Sequence, residues 1–138
     1  MADTLPTKIA LTVVTRERKF IDVDVDEVVL PASDGEIGVL PGHTPLLTTL
    51  RVGTLRYRSG STVEQIVLSW GFAEVLPDRV IVLAERGVLP EEVNLATAEA
   101  ERIEAEKELS YLSSNDPEFA KVEGRLEESV ALISIHHG

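Results

Sequence analysis

The chain contains no cysteine, which excludes disulfide staples and thiolate metal centres and accords with a reducing compartment. Aromatic residues make up only 4% of it, with a single Trp. That is sparse for a module that grips sugars or peptides on exposed rings. Bases are scarce too. Lys and Arg number 13 against 24 Asp and Glu, a net charge of −11, and such an acidic surface repels nucleic acid and anionic lipid as main partners. No run reaches the eighteen or so apolar residues of a membrane-spanning helix, so direct membrane insertion is not expected. The N-terminal Met1-Ala2-Asp3-Thr4-Leu5-Pro6-Thr7 has neither the basic-then-apolar order of a secretory signal nor the Arg-rich character of a transit peptide.

What is present falls into two parts. Of 138 residues, 43% are apolar, enough to bury a core. Residues 1–88 carry twelve acids against nine bases, and residues 89–138 twelve acids against four. Periodicity changes at the same place. The fold class expected is β + α: an N-terminal antiparallel β-sandwich or barrel over 1–88, then a C-terminal antiparallel two-helix hairpin over 89–138.

In the first part Ile9, Leu11 and Val13 alternate with Ala10, Thr12 and Val14, and Ile21, Val23 and Val25 alternate with Asp22, Asp24 and Asp26. Period two with one wet face is the mark of a half-buried strand. Val28 and Leu30 fall on the other parity, which predicts a bulge or break near Asp26-Glu27. Leu55–Arg58 and Val63–Leu68 around Ser59-Gly60-Ser61 read as one hairpin, and Phe72–Val75 and Val80–Leu83 around Leu76-Pro77-Asp78 as another. Short, closely spaced strands without intervening helix indicate an antiparallel sandwich.

In the second part Leu95, Ala98, Ala105, Leu109 and Leu112, with Arg102, share a stripe at helical period, and Phe119, Val122, Leu126, Val130 and Ile133 form another. Between them Ser113-Ser114-Asn115-Asp116-Pro117 breaks the chain, with Asp116 a good N-cap and Pro117 suited to the first helical position. A link this short predicts an antiparallel hairpin.

Candidate chemistry is thin. His136 and His137 lie at the end of the chain, where a solvated tail is the simplest reading. The Asp22/Asp24/Asp26 ladder lacks the glycine and terminal glutamate of a calcium loop. The densest segment runs from Leu30 to Leu47, with three glycines, three prolines and His43 within eighteen residues. It must be short extended pieces joined by tight turns. Gly35, Gly38 and Gly42 lack the Gly-Lys-Ser/Thr ending and helix of a phosphate loop, and suit backbone needs instead. Catalysis at His43 would need Asp34 or Glu36 to orient the imidazole and a nucleophile nearby, and no nucleophile is evident. The residues alone give a two-part interaction protein with no catalytic centre, no metal site and no cofactor site. The alternatives are a β-sandwich module for protein or carbohydrate, and a small hydrolase centred on His43.

Leu30-Pro31, Gly35-Glu36-Ile37-Gly38-Val39-Leu40-Pro41-Gly42-His43 and Pro45-Leu46-Leu47 resemble the epsilon subunit of F-type ATP synthases, the counterpart of the mitochondrial delta subunit. Gly53-Thr54-Leu55-Arg56, Trp70-Gly71-Phe72-Ala73-Glu74-Val75 and Val80–Glu85 extend the likeness over nearly the whole chain. The resemblance implies a non-catalytic rotor subunit of the central stalk, with catalysis on the beta subunit. Its sandwich binds gamma and sits on the c-ring, and its hairpin can reach alpha and beta and inhibit ATP hydrolysis. It implies partner contacts to the c-ring loops at Glu36 and His43, presented by Pro41 and Gly42. It also implies a peripheral position on the cytoplasmic face of a bacterial inner membrane, or alternatively on the stromal side of a thylakoid.

Two departures stand out. Some relatives bind ATP through Ile/Leu-Asp-x-x-Arg-Ala at the start of the first helix, whereas here the stretch is Val93-Asn94-Leu95-Ala96-Thr97-Ala98. With Asn94 and Thr97 in place of the acid and the arginine, a charge-assisted phosphate contact worth about 1.5–3 kcal/mol is missing, and weak or absent ATP binding is expected. The last helix, which in the family meets an acidic stretch of beta, offers Lys121 and Arg125 among Glu118, Glu123, Glu127 and Glu128. That is poor material for an electrostatic clamp.

Overall fold

The computed structural model describes residues 5–138. Two compact units divide between Gly87 and Val88.

The first unit contains β1 (Ile9–Val14), β2 (Lys19–Val25), β3 (Glu27–Ala32), β4 (Gly35–Val39), β5 (Leu46–Leu50), β6 (Gly53–Ser59), β7 (Thr62–Leu76) and β8 (Arg79–Val88). Neighbouring strands run β2-β1-β8-β7-β5-β3-β4, with β6 joining β3 to β7. Pairing is antiparallel except between β1 and β8, which are parallel, a departure from the purely antiparallel expectation. Ile9, Leu11 and Val13 are fully buried, as are Val28, Leu30, Leu55 and Ile66. In β2, which lies at the end of the strand order, Ile21 and Val25 are buried but Val23 is 43% exposed. Register slips between Val13 and Val14, which leaves Phe20 without a strand partner. The Arg18 guanidinium lies 3.9 Å from the centre of that ring.

The expectation of separate strands at 63–68 and 72–75 is corrected. They are the two halves of one fifteen-residue strand, β7. Its first half pairs with β6, through Ser59↔Thr62 to Gly53↔Leu68, and its second half with β5, through Leu50↔Gly71 to Leu46↔Val75. The change of partner falls at Trp70-Gly71, where φ is 55° and then 149°. One strand that turns a corner can serve both layers of a sandwich, and glycine supplies the turn at little steric cost.

β2 ends at Val25 and β3 begins at Glu27, so the change of parity is met by a break at Asp26. Its carboxylate holds this corner together. It accepts from Lys8 Nζ at 2.5 Å and from the Gly60 amide at 2.7 Å, and Arg58 Nη1 stands 3.6 Å away. The Lys8 bond, the Gly60 amide and the positive charge of Lys8 and Arg58 keep the carboxyl below its ordinary value of 3.8. A lowered folded-state pKa contributes stability above the unfolded value, which is lost as pH falls through the lowered one. Asp26→Asn is therefore expected to be less stable than wild type at pH 7 by urea denaturation. The gap should close as pH drops below 3.8. A gap independent of pH would show that the charge contributes nothing.

The second unit has a short turn of 3-10 helix at Pro90–Glu92, then α1 (Leu95–Leu109) and α2 (Phe119–His137). Asn94 caps α1, its side-chain oxygen accepting from the Thr97 amide at 3.0 Å. Asp116 accepts from the Glu118 amide at 2.9 Å, but regular helix starts only at Phe119, two residues after Pro117. Ala98 and Ala105 are the buried residues of α1, and Val122, Gly124, Ser129 and Ile135 those of α2. The expected stripe therefore needs one correction, since Val130 is 49% exposed. At about 100° per residue, the eight positions from Val122 to Val130 overshoot two turns by roughly 80°, while the seven to Ser129 fall short by only about 20°. The Ser129 hydroxyl donates to the Leu126 carbonyl at 2.8 Å, so burying it leaves no polar group unmet.

Arg125 of α2 bonds two acids of α1, Glu101 through Nε at 2.6 Å and Glu108 through Nη1 at 3.0 Å. The two acids are seven residues apart and flank Ala105, so one guanidinium spans two turns of the opposite helix.

Candidate partner-contact site

The segment from Leu30 to Leu47 folds into two tight turns on either end of β4. The first is the β3–β4 hairpin, in which Ala32 pairs with Gly35 around Ser33-Asp34. Gly35 has φ 129°, and the Ser33 amide donates to the Thr49 carbonyl at 3.0 Å. The second is Leu40-Pro41-Gly42-His43. The His43 amide donates to the Leu40 carbonyl at 3.1 Å, and Gly42 has φ 88°. Proline in the second position and positive-φ glycine in the third define a type II turn. The Gly42 amide also donates to the Pro77 carbonyl at 2.7 Å, tying this turn to the β7–β8 turn.

His43 is thus presented by a turn with little freedom. Its Nδ1 lies 2.7 Å from the Thr44 carbonyl. A carbonyl can only accept, so Nδ1 carries the hydrogen in this bond and Nε2 is the ring nitrogen left for a neighbour.

Glu36 stands near the other end of β4. Leu40 lies four positions further along the chain, roughly 13 Å away at strand rise. Glu36 and His43 therefore do not converge, and the carboxylate–imidazole pairing required by a hydrolytic reading is not made by these two groups. Instead, Arg56 of β6 grips Glu36 with both terminal nitrogens, at 3.1 and 3.4 Å. Pro31, paired with Glu36, is buried. A β-carbon on Gly53 would stand 2.8 Å from the Pro31 β-carbon, so a glycine is needed there.

Sequence reasoning picked out Glu36, Pro41, Gly42 and His43 but not Arg56. The signal was available. Arg56 is an outward-facing cation in a strand, but only the strand order shows which acid it meets.

At the start of α1 the Asn94 side chain is engaged as the cap, and Thr97 is exposed with no charge to offer. The nearest cation of that helix, Arg102, is paired with Glu106 at 2.6 Å. Among the described residues no cluster of His, Asp or Glu has the form of a metal site, and no helix is long and apolar enough to cross a membrane.

The site is a polar, turn-built edge on a β-sandwich that a helical hairpin follows, the kind of rigid scaffold whose loops carry recognition. Comparison with known proteins makes this specific. The family described as ATP synthase, Delta/Epsilon chain, beta-sandwich domain matches residues 8–90. An ATP synthase epsilon chain 2 from Syntrophotalea carbinolica is 41% identical over 128 residues, 93% of each chain. The ATP synthase epsilon chain of Halalkalibacterium halodurans is 39% identical over 119 residues, 86% of this chain and 89% of that one. Among solved structures, a chain of the Euglena gracilis mitochondrial ATP synthase, in an OSCP/F1/c-ring assembly, superposes with a TM-score of 0.81 at 25% identity, covering 97% of this chain and 84% of that one. The chain belongs to the ATP synthase delta/epsilon family, with epsilon chains as its relatives, and is a non-catalytic accessory subunit of that complex.

Proposed function

We propose that this chain works in the central rotor stalk of an F-type ATP synthase. It couples ion passage through the c-ring to ATP synthesis on the beta subunit. The observation that carries the reading is the 41% identity spanning 93% of the chain, which takes in both units and not the sandwich alone. The partners are gamma and the c-ring loops for the sandwich, and alpha and beta for the hairpin. Glu36 and His43 are the ring contacts, presented by the hairpin and type II turn at the two ends of β4. In this reading the chain lies, as part of that complex, on the cytoplasmic face of a bacterial inner membrane.

The hairpin is the regulatory part, and two features bear on how it acts. Asn94 and Thr97 leave the start of α1 without a cation for phosphate, so ATP binds weakly or not at all. Arg125 is engaged by Glu101 and Glu108 within the hairpin. That leaves Lys121 as the one Lys or Arg of α2 for an acidic partner, and any braking of ATP hydrolysis rests on apolar contacts.

The test is ATP hydrolysis by the matching alpha-beta-gamma complex, reconstituted with the full chain or with a version ending at Val88. Faster hydrolysis with the shortened chain is the expected result. Equal rates, with both forms bound, would make the hairpin structural. Failure of either form to bind gamma would overturn the assignment to the stalk.

A further inference from the structure

We infer that Arg56 is the positioning residue for the Glu36 contact, an inference that rests on the reading of Glu36 as a ring contact. Three strands build the geometry. Arg56 on β6 is in register with Val29 on β3, and Val29 with Gly38 on β4. These three positions therefore share one face of the sheet. Glu36 lies two residues along β4 from Gly38, so it points to that same face.

The Arg56 side chain reaches across two strand spacings, roughly 10 Å, to close a two-nitrogen fork on both carboxylate oxygens.

The consequence for recognition is chemical. An exposed glutamate alone samples several rotamers, and holding one of them on binding costs entropy. Two parallel N–H bonds fix both the position and the plane of the carboxylate. Both side chains remain open to a neighbour, with 59% of the Glu36 and 38% of the Arg56 side chain exposed, so the carboxylate keeps outward lone pairs. An ionised carboxylate only accepts, which means the complementary surface is a loop presenting N–H donors. Arg56 acts through Glu36 and does not itself need to touch that loop.

The experiment measures the dissociation constant of the full chain for a purified rotor of matching gamma subunit and c-ring. Thermal unfolding of each free variant is followed in parallel to establish that it remains folded. Glu36→Gln and Arg56→Gln are each expected to weaken binding by about tenfold. The double variant should be no weaker than the poorer single one, because both substitutions remove the same contact. Arg56→Lys should recover only part of the affinity, since a lysine cannot form the fork.

The exchanged pair, Glu36→Arg with Arg56→Glu, restores an ion pair but moves the carboxylate to β6, and is expected to stay weak. Multiplicative losses in the double variant would show that Arg56 touches the ring itself, and recovery in the exchanged pair would reduce the bridge to a structural one. Either overturns the inference. So does an Arg56→Gln variant with wild-type affinity while Glu36→Gln is weak, a result that leaves the Glu36 contact standing. If Glu36→Gln binds as wild type, the contact reading fails and the positioning role with it.

Discussion

Gly71→Ala is expected to destabilise the sandwich by about 3 kcal/mol or more, a large part of the stability margin of a small domain. A β-carbon at this position would stand 2.1 Å from the Leu83 carbonyl oxygen and 2.8 Å from the Ala84 α-carbon. Both are backbone atoms of β8, so no rotamer change can make room. The backbone conformation adds to the cost, since φ is 149°, where a side chain is strained. The preceding Trp70, at φ 55°, already sits in the left-handed region at a cost of about 1–3 kcal/mol, leaving the corner little tolerance for more. Urea denaturation measures the effect, with Gly38→Ala as the control, because nothing lies within 4 Å of its added carbon. A Gly71→Ala midpoint equal to that of the control would show that β7 and β8 can separate locally without loss.

Arg125→Glu is expected to have the second-largest effect, this time in the hairpin. In place of a cation bonded to Glu101 and Glu108, a third carboxylate would face two others. The side chains in these bridges are 39–43% exposed, so each pair is worth only about 0.5–1 kcal/mol after solvent screening. Repulsion of similar size follows the reversal, for a total of about 2–3 kcal/mol. That matters because the buried α1 residues are both alanines, whose methyl groups contribute little apolar area to offset it. Spin labels on cysteines placed at Glu104 and Glu123 would report the separation of α1 and α2, the native chain having no cysteine to confuse them. A wider or broader distance distribution than wild type is expected. An unchanged distribution would mean that packing alone sets the pairing.

The hairpin and the sandwich differ in how they were legible. Periodicity located both helices and their link, because a helix buries one face whatever it packs against. Asn94 caps α1 through a local hydrogen bond, whereas Asp116 bonds the Glu118 amide ahead of a helix that starts only at Phe119. Periodicity did not distinguish Ser129 from Val130. A stripe read at 3.6 residues per turn drifts, whereas two paired helices keep contact nearer 3.5. In the sandwich the alternation of Ile9, Leu11 and Val13 and the parity change near Asp26 carried the strands. The merging of two expected strands into β7 was hidden, since the peptide geometry at Trp70-Gly71 depends on which neighbours each half must meet.

The sequence by itself determined the two-part architecture and the tight turns of the segment from Leu30 to Leu47, because each depends on residues close along the chain. Proline and glycine set backbone angles locally, and alternation sets a face locally. Only the tertiary structure decided that β1 and β8 run parallel, that Glu36 and His43 lie at opposite ends of one strand, and that Arg56 and Arg125 meet the acids they do. Those facts join positions 17 to 69 residues apart in the chain, apart from Glu36 and His43, which a straight strand keeps from meeting. Which distant groups come together is a property of strand order and helix pairing, and no local pattern of residues encodes it.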